Sequence, residues 1–133
     1  MASKLTLKNL ENTEFSITHN DGDSAITVSS EELSKVKTID TIAGLRSISN
    51  PSPTAWVSGY YTKGDGAFGS NIFEWDSAST DADNGGTIIK LDSVTTGRYK
   101  LRYDGAVNVK WFGAVGDGSD SASQIDSAYL AGV

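Results

Sequence analysis

The stretch Val107–Gly118, with the sequence VNVKWFGAVGDG, decides how the rest of the chain is interpreted. Its first half alternates apolar and polar residues, with Val107, Val109 and Trp111 on one face, and this period of two predicts a β-strand. Its second half is rich in glycine and aspartate, which predicts a turn. Only 15 residues follow Gly118 in the chain of 133. We therefore expect the stretch to be the entrance to a larger structure that continues beyond this chain.

Upstream of this stretch, short apolar and aromatic segments are separated by glycine-rich and polar turns, as is typical of antiparallel β-structure. The clearest alternation lies in Arg98–Tyr103, where Tyr99, Leu101 and Tyr103 share one face. Three further strands are predicted at residues 56–61, 71–75 and 87–91. The sequence thus predicts a mainly β fold, with a small antiparallel domain of the sandwich or barrel type over residues 37–111.

One short helix is predicted at the start of this domain, over Lys37–Ile48. Thr38 is its expected N-cap, and apolar residues follow at helical spacing. Gly44 inside the helix costs about 1 kcal/mol relative to alanine, so the helix should be short. The sequence Asn50–Pro53 ends it, because each proline lacks a backbone donor and restricts the residue before it.

Residues 1–36 predict a separate β module. Strands are expected at Leu5–Leu7, Phe15–His19 and Ala25–Val28 because apolar residues alternate in each. The sequence Asn20–Gly22 predicts the tight turn between the second and third strands. Ser29–Leu33 predicts one helical turn, with a serine cap followed by acidic residues.

The composition excludes several classes of function. The net charge is −6, which is unfavourable for binding the phosphate backbone of a nucleic acid. No apolar run approaches the roughly 20 residues that span a bilayer, so no membrane partner is predicted. The absence of cysteine excludes disulfides and thiolate chemistry. The N-terminus lacks the apolar core of a secretion signal.

Two loop motifs match ligand-binding sequences, but their context argues against ligands. Gly64–Gly69 fits G-x-G-x-x-G, yet a predicted strand follows it instead of the helix that a pyrophosphate site needs. Asp81, Asp83 and Asp92 occupy positions 1, 3 and 12 of a calcium loop, but Gly85 at position 5 offers no side-chain oxygen. A hairpin loop and a solvated turn are favoured, the three aspartates are only a weak candidate cation site, and no cofactor is predicted.

No catalytic residue is predicted in this chain. Cleavage of a glycosidic bond needs two carboxyl groups set across a cleft, one of them with a raised pKa. Asp117 and Asp120 instead lie in an open turn, where Asx-turns and a cap for a helix over residues 121–130 are expected. The single histidine, His19, is not accompanied by a recognisable nucleophile motif.

Aromatic residues are concentrated after residue 55. Their period-two spacing favours a role in the core of the fold, and a subunit interface or a platform for stacking sugars are the alternatives. The candidates for an interface are Trp56, Tyr60, Tyr61, Trp111 and Phe112.

Several motifs, in this order, resemble a junction found in phage tailspikes and tail fibres. There, an N-terminal virion-attachment region leads into a right-handed parallel β-helix of the pectate-lyase-like kind. The motifs are Ile39–Arg46, Gly59–Gly66, Phe73–Asp76, Asp83–Ile89, Gly97–Tyr99 and Val107–Gly118. The resemblance covers roughly the C-terminal two thirds of the chain.

The resemblance implies a homotrimeric attachment module that is the N-terminal fragment of a longer spike. Residues 1–36 would lie nearest the particle, residues 37–111 close to the trimer axis, and residues 112–133 would form the first cap of the β-helix. The implied partner is the phage tail, its baseplate or another spike, and host polysaccharide would be contacted only through the missing C-terminal part. The protein would be made in the host cytoplasm and carried on the virion. An accessory carbohydrate-binding module is the alternative.

Overall fold

A computed structural model describes residues 36–65 and 71–133 in full, and before them the backbone of three strands. Contacts divide the chain into two compact units, Met1–Lys35 and Val36–Val133. The C-terminal residues 112–133 therefore cluster with the sheet domain that precedes them. In the described part of the chain, no helix is long and apolar enough to cross a membrane.

The first unit contains a three-stranded antiparallel sheet. Its strands are β1 (Lys4–Leu7), β2 (Phe15–Thr18) and β3 (Ala25–Val28), in the order β1-β2-β3. The three predicted strands are confirmed, with β2 ending one residue earlier than expected. His19 and the turns predicted at residues 20–22 and 29–33 lie outside the described residues.

The second unit is built on a five-stranded sheet. Its strands are β4 (Val36–Ile39), β5 (Thr54–Val57), β6 (Asn71–Asp76), β7 (Ile88–Ile89) and β8 (Arg98–Leu101), in the order β4-β5-β6-β8-β7. The mainly β class with a short helix is confirmed. The sheet is mixed, however, because β4 and β5 pair in parallel while the other neighbours are antiparallel.

The parallel pair arises where the sequence predicted the start of a helix. Thr38 lies in β4, and helix α1 spans only Ile42–Arg46. Its N-cap is Thr41, whose side-chain oxygen accepts a hydrogen bond from the Gly44 amide at 3.0 Å. The β-branched residues of β4 suit a strand better than a helix. Helix α1 then forms part of the crossover that a parallel pair requires.

The core lies on one face of this sheet and includes α1. The buried apolar cluster takes Ala55, Val57, Phe73, Ile89, Leu91, Tyr99 and Leu101 from the sheet region and Ile42 and Leu45 from α1. Tyr99 and Leu101 are buried, as the alternation in β8 predicts. Arg98 was expected on the polar face, yet it is also buried. Its guanidinium donates hydrogen bonds to the carbonyl oxygens of Asp81, Thr95 and Gly97. These bonds give the buried charged group hydrogen-bond partners inside the fold.

The strand predicted through Val107, Val109 and Trp111 is not formed. Residues Val109–Phe112 are a 3-10 helix instead. The Asn108 side chain caps this helix by accepting from the Lys110 amide at 3.0 Å, a local bond that competes with strand pairing.

Helix α2 (Ala122–Ala131) follows close to its predicted position. The Ala122 amide donates to Asp120 at 2.9 Å, and the Ser119 amide donates to Asp117 at 2.9 Å. The two expected Asx-type turns are therefore present.

Candidate interaction surface

Trp56 lies on the outer face of the sheet. In β5 its neighbours Ala55 and Val57 are buried, so the alternation of the strand turns Trp56 the other way. Trp56 is in register with Thr38 on β4 and with Ile72 on β6. Its side chain is 44% exposed, which makes it the largest ring on this face that is available to a partner.

Tyr60 and Tyr61 are held by one carboxylate. Asp65 accepts hydrogen bonds from the amides of Tyr60, Tyr61 and Thr62 at 2.6, 3.0 and 2.8 Å. Burial opposes ionisation of Asp65, but these amide bonds outweigh it and lower the pKa of the carboxyl group. The two rings meet edge to face at 4.7 Å, and Tyr61 remains 54% exposed while Tyr60 is half-buried.

Trp111 and Phe112 do not share one environment. The half-buried Trp111 packs beside Tyr103, with ring centroids 5.1 Å apart. Phe112 is only 3% exposed, and its ring lies against the backbone of Gly86. Of the five predicted interface residues, Phe112 is thus buried within the described chain, because a glycine leaves space for its ring. Among these five residues, Trp56 and Tyr61 have the most accessible rings.

The ring pairs of the described residues do not form a sugar-stacking platform. Such a platform presents two or three exposed rings in one plane. The three ring pairs of the described residues are tilted by 69° (Tyr60–Tyr61), 58° (Trp75–Tyr99) and 53° (Tyr103–Trp111). Each of these pairs contains at least one buried or half-buried ring, so none of them forms such a platform by itself.

Asp83 pairs with Arg46 instead of contributing to a cation site. The guanidinium of Arg46 contacts both carboxylate oxygens, with Nη2 at 2.9 Å from Oδ1. The amides of Gly85 and Lys90 donate to the same carboxylate at 2.8 and 2.7 Å. Burial opposes ionisation, but Arg46 and these amides lower the pKa of Asp83. The pair connects α1 to the loop that precedes β7.

Asp81 and Asp92 are not gathered around Asp83. The Lys100 ammonium lies 2.9 Å from both Asp76 and Asp81, and the hydrogen bond to Lys100 lowers the pKa of Asp81. Asp92 is exposed. Over residues 36–65 and 71–133, no group of three histidine, cysteine, aspartate or glutamate side chains is arranged to hold a metal ion.

Helix α2 exposes apolar surface that was not predicted from the sequence. Tyr129 and Leu130 are each 72% exposed, and Ile125 is half exposed. Ile125 and Tyr129 line an apolar groove of about 420 Å³ together with Val107 and Val109. The spacing of Ile125 and Tyr129 was a signal for this surface, because residues four apart share one face of a helix.

The loop that precedes β7 contains the residue whose importance sequence reasoning missed. The side-chain oxygen of Asn84 accepts hydrogen bonds from the amides of Gly86, Thr87 and Ile88 at 3.1, 2.9 and 2.9 Å. Its nitrogen donates to the Thr87 hydroxyl at 2.8 Å. The sequence DNGG indicated a turn. It did not indicate that the Asn84 side chain would fix the loop on which the Phe112 ring packs.

Comparison with protein families gives one match. A family model of the phage tail protein small four-stranded beta-sheet domain matches residues 38–104, half of the chain. This range holds β5 to β8 and the second half of β4. No curated protein sequence matches the chain.

The structure resembles several solved tailspike proteins. The full-length tailspike protein 2 of an Escherichia coli O157:H7 bacteriophage matches with a TM-score of 0.60 and 18% identity, over 98% of this chain and 18% of that protein. The tailspike protein of Acinetobacter baumannii bacteriophage Fri1, a capsular polysaccharide depolymerase, matches with a TM-score of 0.57 and 21% identity, over 72% and 18% of the two chains.

A bacterial enzyme shares the same likeness. Pantoea stewartii WceF, a glycan biofilm modifying enzyme with a tailspike-like parallel β-helix fold, has a TM-score of 0.56 and 18% identity, over 88% of this chain and 17% of that one. At these identities the likeness shows the fold. The chain spans less than a fifth of the length of each of these three proteins.

Proposed function

This chain belongs to the family of phage tail proteins with the small four-stranded beta-sheet domain, and we propose that it is a structural module that anchors a trimeric tailspike to the tail or to other spikes. As a phage tail protein, it is a component of the virion. In this proposal it is made in the host cytoplasm and is non-catalytic. Any depolymerase activity of a longer parent protein belongs to parts outside these residues.

The exposed apolar surface of α2 carries this proposal. Ile125 and Tyr129 line an apolar groove, and Leu130 is a further exposed apolar residue of the same helix. Large apolar side chains exposed in this way mark a surface that binds another protein. In a trimer, the same patch on each copy would be covered by a neighbouring copy around the three-fold axis.

The state of the carboxyl groups supports a non-catalytic role. A glycosidase needs one carboxylic acid that stays protonated near neutral pH, so its pKa must be raised. The aspartates with a shifted pKa in the described residues all have it lowered: Asp65, Asp76, Asp81, Asp83 and Asp117. Each accepts hydrogen bonds that hold a turn or an ion pair.

A carbohydrate-binding module is the second candidate. The exposed rings of Trp56 and Tyr61 favour it, because a single accessible tryptophan can stack on a sugar. The family match to a phage tail protein domain favours the attachment module.

The first test is the mass of the chain in solution, measured by light scattering during size exclusion. We expect three times the chain mass of 14.0 kDa. The double variant Tyr129→Ser/Leu130→Ser should elute as a monomer. The control Val36→Ser removes an exposed apolar side chain from β4 and should remain trimeric. A monomeric wild-type chain over the whole concentration range would contradict trimerisation through this module.

The second test is binding to the particle. A tagged chain is mixed with particles of the same phage produced without spikes, and the particles are sedimented. Anchoring predicts that the chain sediments with them and that an excess of untagged chain displaces it. Recovery of the chain in the supernatant would reject an anchoring role. Titration with host polysaccharide, followed by tryptophan fluorescence, would favour the second candidate if the signal saturates.

A further inference from the structure

In the part of the chain that the structure describes, residues 105–133 are attached to the sheet without hydrogen bonds. Within residues 36–65 and 71–133, every hydrogen bond made by this segment stays inside it, such as Trp111 N to Asn108 O at 3.0 Å and Ser127 Oγ to Ser123 O at 2.9 Å. The described ion pairs all join residues before 105. We call this part of the chain the C-terminal segment.

Apolar contacts hold the C-terminal segment in place. A methyl group on Gly86 would lie 2.6 Å from the ring carbons of Phe112, so the ring rests directly on that glycine. A methyl group on Gly113 would lie 2.5 Å from the ring of Tyr60, so the next residue is in equally close contact. Both contacts depend on residues without side chains, and they leave Phe112 buried.

The seat for Phe112, by which we mean Gly86 and the loop that precedes β7, is built by the sheet domain alone. Asn84 holds the Gly86 amide at 3.1 Å, and Asp83 is fixed by Arg46, without any contribution from the C-terminal segment. The nine buried residues of the core cluster all lie between residues 42 and 101, and from the C-terminal segment the half-buried Trp111 packs against them. The sheet therefore has its own core, and the seat has its own hydrogen bonds.

The connection to the sheet contains an open glycine. Gly105 has φ +83°, and no atom would lie within 4 Å of a side chain there. It marks a point at which the backbone can turn without disturbing packed atoms.

From these observations we propose that the C-terminal segment is a latch. The packing of the Phe112 ring on Gly86 holds the segment in place. The segment detaches from the sheet as one unit while the sheet stays folded. This inference concerns a conformational device within the chain and stands apart from the attachment function.

Hydrogen exchange on the whole chain tests the latch. In Gly86→Ala the new methyl group displaces the Phe112 ring. We expect the amides of Ile125–Ala131 to exchange at least 10-fold faster, with no change in β6 and β8. The matched control is Gly132→Ala, where the new methyl group would be 3.4 Å from Val107, an ordinary contact. Its exchange in α2 should equal that of the wild type. Light scattering confirms that the proteins compared share one oligomeric state.

The double variant Gly86→Ala/Phe112→Ala distinguishes loss of the contact between Phe112 and Gly86 from destabilisation of the whole fold. Without the ring the new methyl group has room, so α2 should exchange no faster than in Phe112→Ala alone. Phe112→Leu is the milder variant if Gly86→Ala does not fold. Faster exchange of β6 and β8 together with α2, in either variant, would show one cooperative unit and overturn the proposal. Unchanged exchange in α2 would overturn it as well.

Discussion

At the scale of single residues, Asn84 shapes the loop that precedes β7. Its side-chain oxygen accepts three backbone amides, and the amide of the buried Thr87 is one of them. A buried amide that loses its acceptor keeps the full cost of its desolvation. The loop is therefore fixed by one side chain, and the position of Gly86 depends on it.

Replacement of Asn84 by alanine should lower the free energy of unfolding by about 2 kcal/mol, because buried amides lose their acceptor. Urea unfolding followed by fluorescence measures the change. The matched control is Asn108→Ala, which removes one exposed bond to the Lys110 amide and should cost about 1 kcal/mol or less. Equal losses in the two variants would show that the Asn84 bonds have no special weight.

At the scale of elements, β8 connects the sheet to the proline-containing loop before β5. The Tyr99 side chain is fully buried, and its hydroxyl donates to the Ser52 carbonyl at 2.8 Å while accepting from the Ser52 amide at 2.9 Å. One strand residue thus satisfies both backbone groups of a buried loop residue. This bond fixes the loop that leads into the parallel strand β5.

The substitution Tyr99→Phe should destabilise the chain by about 2 kcal/mol, because it leaves the Ser52 amide and carbonyl without their partner. The control Tyr103→Phe changes a ring that is 41% exposed and should alter stability by less than about 0.5 kcal/mol. Thermal unfolding by circular dichroism compares the two. A Tyr99→Phe variant as stable as Tyr103→Phe would mean that water replaces the lost hydroxyl.

Alternation predicted the strands wherever pairing decides the structure, as in β6 and β8. At residues 37–41 the error was of the opposite kind, because helical spacing predicted a helix where strand β4 forms and the helix begins only after its cap Thr41. Alternation failed at residues 107–111, where the Asn108 side chain binds the nearby Lys110 amide and starts a 3-10 helix. Such local bonds override a weak periodicity. The burial of Phe112 could not be read from its own neighbours, because its seat is a glycine in a distant loop. The surface residues Trp56 and Tyr61 followed from their aromatic character, but only the fold shows their exposure.

At the scale of the whole molecule, an acidic chain is stabilised by its own acids. The net charge is −6, yet five aspartates accept structural hydrogen bonds and have a lowered pKa. Their carboxylates accept hydrogen bonds from turn amides and from lysine or arginine side chains, so folding favours the ionised form. Acid should therefore weaken the fold.

The sign of this effect follows from linkage. A carboxyl group whose pKa is lower in the folded state stabilises it fully above its unfolded pKa of about 3.9, and this stability is lost as the pH falls towards the folded pKa. We expect the urea midpoint to fall below about pH 4. Asp83→Asn should flatten this dependence. Asp76→Asn should do so less, because its pair with Lys100 is exposed and screened. Identical pH profiles for wild type and Asp83→Asn would contradict the assignment.

The apolar seat of Phe112 has a thermal consequence. Apolar contacts weaken on cooling, and sulfate strengthens them. The screening that other dissolved ions provide acts on charged pairs and leaves apolar contacts as they are. The attachment of α2 to the sheet should therefore become less stable on cooling and more stable on warming, within the range where the sheet is folded. Ordinary changes of ionic strength should leave it unchanged. Temperature, more than acidity or salt, is the variable that sets how firmly α2 is held.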